Sequence, residues 1–185
     1  GLAHPALRGA NQLLNAATAL AALESLHERL PIHAQAVRDG LARVELAGRF
    51  QIVAGQPVLV LDVAHNPQAA RVLAGNLADM GFYPETYAVF GMLKDKDIEG
   101  VCRALKGRFS AWFVAGLSVS RGAGAGALAE ILARVDAGTV VDCFEKPLDA
   151  YAAARKRAGE NDRIVVFGSF HTVSEIMQGF QAERT

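Results

Sequence analysis

The sequence has few cysteines, no long hydrophobic run and no excess of either charge. Cys102 and Cys143 lie far apart, and neither has a partner at metal-ligand spacing, so we expect reduced thiols and no metal site in this chain. No apolar run of about 18 residues and no basic-then-apolar leader occurs, which predicts a cytoplasmic protein without a membrane partner. Nineteen basic residues balance nineteen acidic ones, so no global field attracts nucleic acid, and any ligand is recognised locally.

A phosphate-binding loop is also missing. The pattern G-x-x-x-x-G-K-[ST] does not occur, nor does any Gly-Lys pair. The chain alone is therefore not expected to hydrolyse ATP, and a binding or regulatory domain without catalysis is one interpretation. The chain begins with Gly1 in a stretch unlike a natural start, and we expect a fragment.

The first part of the chain is helical in pattern. Ala and Leu dominate residues 11–30, which predicts a helix that Pro31 ends, and a second amphipathic helix is expected from His33 to about Val44. The first helix is apolar almost all round, and the short second helix is too small to cover it. We therefore assign residues 1–46 to the end of a truncated domain.

Residues 47–185 alternate short apolar runs with helical patterns. Six runs are candidate strands: FQIVA, PVLVLDV, TYAVFG, AWFVAG, TVVDCF and RIVVFG. Helices are expected after Pro67, Asp97, Gly126, Pro147 and Thr172. This pattern predicts a doubly wound α/β domain with a mainly parallel sheet and helices on both faces.

Ligands of such sheets bind beyond the carboxyl ends of the strands. Those ends read DVAHNP, GMLKDKD, GLSVSRG and GSFHTV. They carry the reactive-looking side chains of the domain: Asp62, His65, Lys94, Lys96, Arg121, Ser169 and His171.

Four segments, in order and spacing, resemble bacterial dihydrofolate synthase/folylpolyglutamate synthase of the Mur ligase superfamily. They are GRFQIV at 48–53, LDVAHNPQAA at 61–70, GMLKDKDI at 91–98 and GSFHTV at 168–173, and RGANQLLNAATALAALE resembles the last helices of that family's central ATPase domain. The resemblance implies a Rossmann-like carboxy-terminal domain of a monomeric ligase. Such a ligase uses ATP and Mg²⁺ to join L-glutamate to dihydropteroate or folate through an acyl phosphate. The resemblance also implies that the phosphate loop and the magnesium ligands lie upstream of this fragment.

The resemblance also implies roles toward ATP, each beside a plainer alternative. Asp62 would bind the ribose hydroxyls, or else cap the next helix. Arg49 would contact phosphate or ribose, or else be a solvated edge charge. Asn15 would lie at the adenine, although Asn11, Asn15 and Thr18 also fit a solvated stripe at i, i+4 and i+7.

Other residues are assigned to glutamate and catalysis. His65 would position glutamate or the acyl phosphate, whereas an isolated histidine is usually an ordinary polar residue. Asn66 either ties the loop backbone or contacts ligand. Lys94, with Lys96, either holds a carboxylate or phosphate or forms a solvated turn. Ser169 and His171 either receive the glutamate carboxylate or cap the last helix.

A rival interpretation is an NAD-dependent oxidoreductase. In GAGAGA at 122–127, Gly122, Gly124 and Ala127 satisfy the dinucleotide fingerprint, and Asp142 follows about 20 residues later as the fingerprint requires. Against it, GLSVSR separates the preceding strand from the first glycine, whereas the fingerprint needs a tight turn directly off the strand.

Overall fold

The computed structural model describes residues 5–7, 9 and 11–182, side chains through residue 180. Within this part the helices are α1 (Asn11–Ser25), α2 (Ala34–Arg43), α3 (Pro67–Asp79), α4 (Ile98–Ala104), α5 (Ala125–Val135), α6 (Pro147–Arg157) and α7 (Phe170–Ala182). The strands are β1 (Gln51–Val53), β2 (Val58–Leu61), β3 (Thr86–Phe90), β4 (Ala111–Ala115), β5 (Val140–Phe144) and β6 (Arg163–Phe167). Each of the six predicted strands is therefore confirmed.

The strands form one sheet in the order β1-β2-β6-β3-β4-β5. β1 is antiparallel to β2, and every other pair is parallel. The α3, α4 and α5 helices cover one face with Leu73, Val101 and Leu128, and α6 and α7 cover the other with Ala154 and Ile176. The predicted doubly wound fold is confirmed.

This strand order places β6 between β2 and β3, although β6 is the last strand in the chain. The helices that follow β2 and β3 lie on one face, whereas α7, which follows β6, lies on the other. A crevice for ligands forms where neighbouring connections diverge in this way. The loops after β2, β3 and β6 meet there.

The first helix is shorter than predicted. It ends at Ser25 rather than Leu30, and the next amides, of Leu26 and His27, bond three residues back, to Leu23 and Glu24. Pro31 disfavours helical backbone at the residue before it, Leu30, and residues 26–30 are exposed, so little burial stabilises this turn. At the other end of the chain, α7 begins at Phe170, earlier than the predicted start after Thr172.

The α1 and α2 helices bury no residue. Leu14 is 69% exposed, and Leu13, Leu26, Leu30 and Ile32 also face solvent. No helix among the described residues is long and apolar enough to cross a membrane.

Candidate functional site

The turn at Gly48, Arg49 and Phe50 has an unusual backbone. Gly48 has φ of 68° and Phe50 has φ of 46°, so two left-handed residues flank the arginine. A Cβ on Gly48 would lie 2.9 Å from Val63 Cγ1, and the Gly48 carbonyl accepts a hydrogen bond from Val63 N at 2.8 Å. Left-handed backbone costs a non-glycine residue about 1–2 kcal/mol, so its presence here requires a specific support.

Asp62 supplies that support from the end of β2. Its Oδ2 accepts a hydrogen bond from Phe50 N at 3.0 Å, and its Oδ1 accepts one from Ala64 N at 2.8 Å. Burial raises the pKa of Asp62 above its usual value, and the two amides and the charges of Arg49 and His65 oppose this shift. Each carboxylate oxygen keeps a second lone pair, so Asp62 can still accept from a ligand.

Asn66, not Asp62, caps α3. Its side-chain oxygen accepts a hydrogen bond from Ala69 N at 2.8 Å, and Pro67 occupies the first helical position. The backbone-tying interpretation of Asn66 therefore describes its contact in this structure, and the helix-capping alternative for Asp62 is wrong.

His65 is held by its own loop. Its Nδ1 lies 2.8 Å from the Val63 carbonyl oxygen. Because a carbonyl can only accept, this contact places the proton on Nδ1 and leaves the Nε2 lone pair for a ligand when the ring is neutral.

Three predicted nucleotide residues lie around one cleft of about 200 Å³, between α1 and α3. They are Asn15 from α1, Arg49 from the turn and Asp62 from the end of β2. The cleft also contains residues that the sequence did not single out for ligand binding: Gln12, Phe50, Gln68, Ala69, Val72 and Asn76. The spacing of Gln68, Val72 and Asn76 at i, i+4 and i+8 was the available signal, since it places them on one helix face.

Of the residues assigned to glutamate, Asn66 lines this cleft, whereas His65, Lys94, Ser169 and His171 do not. Ser169 is buried, and its Oγ accepts a hydrogen bond from His171 N at 3.1 Å, which caps α7. The His171 side chain is exposed at the same helix start.

The loops after β3 and β4 are joined to each other. Lys94 N donates to the Arg121 carbonyl at 2.8 Å, and Asp95 lies between Lys96 at 3.7 Å and Arg121 at 3.2 Å. Among the described residues, Lys94 makes no side-chain hydrogen bond or ion pair, and the charges beside it are solvated.

The backbone segments that follow β3 and β6 approach each other closely just beyond the ends of these strands. The buried Thr172 hydroxyl donates to the Gly91 carbonyl at 2.8 Å. A Cβ on Gly168, whose φ is 108°, would lie 2.5 Å from that same carbonyl oxygen. This contact fixes the start of α7 against the loop that carries Lys94.

The dinucleotide interpretation fails on geometry. β4 ends at Ala115, the loop then crosses to pair Gly122 with Leu93, and α5 begins only at Ala125. Asp142 lies inside β5 and faces Arg157 at 4.0 Å, rather than standing beyond the end of the strand. The glycines form a loop into α5 and not a tight strand-to-helix turn.

Comparison with known proteins shows which family has this architecture. The profile of the family described as Mur ligase, glutamate ligase domain matches residues 48–170. The chain belongs to this family. The oxidoreductase alternative receives no support from it.

Relatives of this Mur ligase chain include the dihydrofolate synthase/folylpolyglutamate synthase of Escherichia coli (strain K12). The two are 42% identical over 171 residues, which cover 92% of this chain and 39% of the relative. The predicted resemblance is thereby confirmed. The chain spans about two fifths of the length of curated relatives such as this one.

Solved structures agree. E. coli FolC in complex with DHPP and ADP superposes with a TM-score of 0.87 at 40% identity, over 100% of this chain and 42% of that one. A bifunctional folylpolyglutamate synthase/dihydrofolate synthase with Mn, AMPPNP and L-glutamate bound gives 0.82 at 41% identity, over 98% and 41%.

Proposed function

We propose that this chain serves an ATP-dependent ligase that joins L-glutamate to dihydropteroate, to folyl(poly)glutamate, or to both. The observation that carries the proposal is the single cleft lined by Asn15, Arg49 and Asp62. Family membership and the ligands named for the related structures support it. The substrates are small molecules, and we propose a cytoplasmic monomer.

In this proposal the chain contributes to two domains of the ligase. Residues 1–46 belong with an ATP-binding domain, since α1 and α2 bury no residue of their own. Residues 47–185 are the glutamate ligase domain, in agreement with a family match that starts at residue 48.

ATP lies in the cleft with its ribose at Asp62. The free lone pairs of this carboxylate accept from the two ribose hydroxyls, and the Arg49 guanidinium faces the phosphates with its planar array of donors. Asn15 lies on the opposite wall, toward the adenine.

The reaction forms an amide in two steps. The substrate carboxylate attacks the γ-phosphorus of ATP, which gives an acyl phosphate and ADP; the amine of glutamate then attacks the acyl carbon, and phosphate leaves with its electron pair. His65 Nε2, as the catalytic group, orients the amine and accepts its proton. Asn66, Lys94, Ser169 and His171 surround the carboxylates of glutamate.

Mg²⁺ supplies charge neutralisation of phosphates in reactions of this type. Among the described residues no cluster of three His, Cys, Asp or Glu side chains could hold a cation. We therefore assign no metal ligand to this chain and derive no step through a metal.

A chimera tests the proposal. The matching carboxy-terminal 39% of the E. coli relative is replaced by this chain, and glutamate-dependent ADP release is measured with dihydropteroate and with a folate as acceptor. We expect activity in the chimera, none in the 185-residue chain alone, and a large loss in the chimera with Asp62→Ala. A folded, ADP-binding chimera without activity on either acceptor would contradict the proposal, as would activity of the isolated chain that Asp62→Ala abolishes.

A further inference from the structure

The side chain of Arg49 is long and exposed. Its backbone is fixed, because Gly48 and Phe50 on either side are left-handed and the Asp62 carboxylate accepts from Phe50 N. Beyond the Cα, however, an arginine has several rotatable bonds and loses much conformational freedom when it is held in one direction. Among the described residues, this guanidinium makes no hydrogen bond or ion pair that would hold it.

The guanidinium of Arg49 lies over an aromatic ring instead. Its Cζ is 5.8 Å from the centroid of the Phe170 ring, and a ring attracts a cation within about 6 Å of its centroid. Phe170 is 56% exposed, so burial in the core does not explain its place. A ring restrains the cation without neutralising it, as a carboxylate would. The charge of Arg49 and most of its N–H donors therefore remain for a phosphate.

The first turn of α7 packs against the turn at Gly48. Phe170 and Val173 are spaced i and i+3, so they lie on one face of the helix. Val173 is buried, and a Cβ on Gly48 would lie 3.2 Å from its Cγ1. Thr172 donates to the Gly91 carbonyl at 2.8 Å, which ties the start of α7 to the loop after β3. The Phe170 ring is therefore carried by a fixed helix end beside this turn.

We propose that Phe170 is a positioning residue of the nucleotide site, whose ring holds the Arg49 guanidinium toward the ATP phosphates. The inference rests on the proposed ATP site and adds to it a residue of α7 that does not line the cleft. Without the ring, the guanidinium samples several directions, and binding of a phosphate must then order it. This cost lowers affinity for the nucleotide and leaves affinity for glutamate unchanged.

Three variants of the active chimera separate the ring from its volume. Phe170→Leu keeps an apolar side chain and is compatible with a helix, but it has no aromatic face, whereas Phe170→Tyr keeps that face. Phe82→Leu is the matched control. Phe82 is 90% exposed in the loop between α3 and β3, at the edge of the sheet opposite the carboxyl ends of the strands. Thermal melts verify that all three variants fold.

We expect Phe170→Leu to raise the KM for ATP and the Kd for ADP by roughly two- to fivefold, the factor for a cation over a ring at an exposed site. The KM for glutamate and kcat stay at the level of the parent chimera. Phe170→Tyr restores nucleotide affinity, and Phe82→Leu changes none of these values. In an Arg49→Gln background, Phe170→Leu has no further effect on ADP affinity, because the ring acts only through the guanidinium.

An NMR measurement on the 185-residue chain tests the contact without nucleotide. Protons over the face of a ring are shifted upfield by the ring current, so the Arg49 Hδ signals lie upfield of those of other exposed arginines. They return to the ordinary position in Phe170→Leu and stay shifted in Phe170→Tyr. Arg49 signals that are the same in wild type and Phe170→Leu overturn the inference.

The kinetic outcomes separate this inference from the proposed function. An active chimera in which Phe170→Leu leaves the KM for ATP unchanged, or in which Phe170→Tyr is as impaired as Phe170→Leu, overturns the inference and leaves the function standing. A rise in the KM for glutamate in place of that for ATP does the same, since the ring would then serve the other substrate. A chimera that binds no ADP overturns the ATP site itself, and the inference with it.

Discussion

The Asp62 carboxylate and the backbone of Phe50, twelve residues earlier, are joined by a hydrogen bond of 3.0 Å. This bond holds Phe50 in the left-handed conformation, with φ of 46°, and so fixes where the neighbouring Arg49 leaves the chain. A single carboxylate therefore organises both the proposed ribose contact and the proposed phosphate contact.

Asp62 is expected to make ADP binding depend on pH. Burial raises its pKa, and only the ionised carboxylate can accept from both ribose hydroxyls, so ADP affinity falls as pH decreases through that raised pKa. The same shift implies that the contribution of Asp62 to folding stability is greatest below its unfolded pKa and is lost as pH rises through the folded one. ADP titrations and urea melts between pH 4 and 8 measure both, with Asp62→Asn as the variant that removes the group; equal pH profiles in both proteins would contradict this.

Asp62 and His65 are expected to affect different kinetic parameters in the active chimera. Asp62→Ala removes a charge-assisted contact, so the KM for ATP rises by roughly tenfold to a hundredfold. His65→Ala instead lowers kcat or raises the KM for glutamate, because an amine that is not oriented attacks slowly. Steady-state kinetics with ATP and glutamate varied separately distinguish the two, and equal losses for both substrates in both variants would mean that the loop is only structural.

Two glycines are expected to respond oppositely to alanine. Gly168→Ala combines a φ of 108° with a Cβ placed 2.5 Å from the Gly91 carbonyl, so it destabilises the fold by about 2 kcal/mol or more. Gly75→Ala adds a methyl group in open space within α3 and stabilises by about 0.5–1 kcal/mol. Urea denaturation gives both values, and a neutral Gly168→Ala would contradict the tight contact between β3 and β6.

The two thiols are expected to react very differently. Cys102 is fully buried in α4, and burial raises its pKa to about 12, whereas Cys143 is exposed. Because the thiolate is the reactive form, iodoacetamide at pH 8 labels Cys143 in the native chain and Cys102 only after denaturation. Mass spectrometry of the labelled peptides checks this, with Cys143→Ser as the control that leaves the native chain unlabelled.

The α1 helix is expected to be weakly protected in the isolated chain. It buries no residue, and exposed leucines lower its contribution to stability. The amides of α1 then exchange with deuterium orders of magnitude faster than those of β3 and β6. If two copies of the chain instead cover each other's α1 helices, the protection of α1 rises with protein concentration. Strong protection of a monomer at every concentration would contradict this.

Most of the sheet could be predicted from the sequence because buried parallel strands are continuous apolar runs, such as VLVL and RIVVF. The left-handed Phe50 could not, since nothing about phenylalanine favours that backbone and its support lies twelve residues away at Asp62. The cleft was predicted only in part. Asn15 and Asp62 followed from motifs, whereas Asn76 becomes visible only once α1 is seen opposite α3.

The position of β6 also has a consequence for biosynthesis. During synthesis β2 and β3 are made before β6, but β6 lies between them in the sheet. Arg163 of β6 pairs with Val58 of β2 on one side and with Thr86 of β3 on the other. The edges of β2 and β3 that pair with β6 therefore stay unpaired until about a hundred further residues have followed β2, which takes roughly 5–20 s at about 5–20 residues per second. During that interval the unpaired strand edges expose the nascent domain to aggregation. A chain released before residue 163 lacks the middle of its sheet rather than an edge.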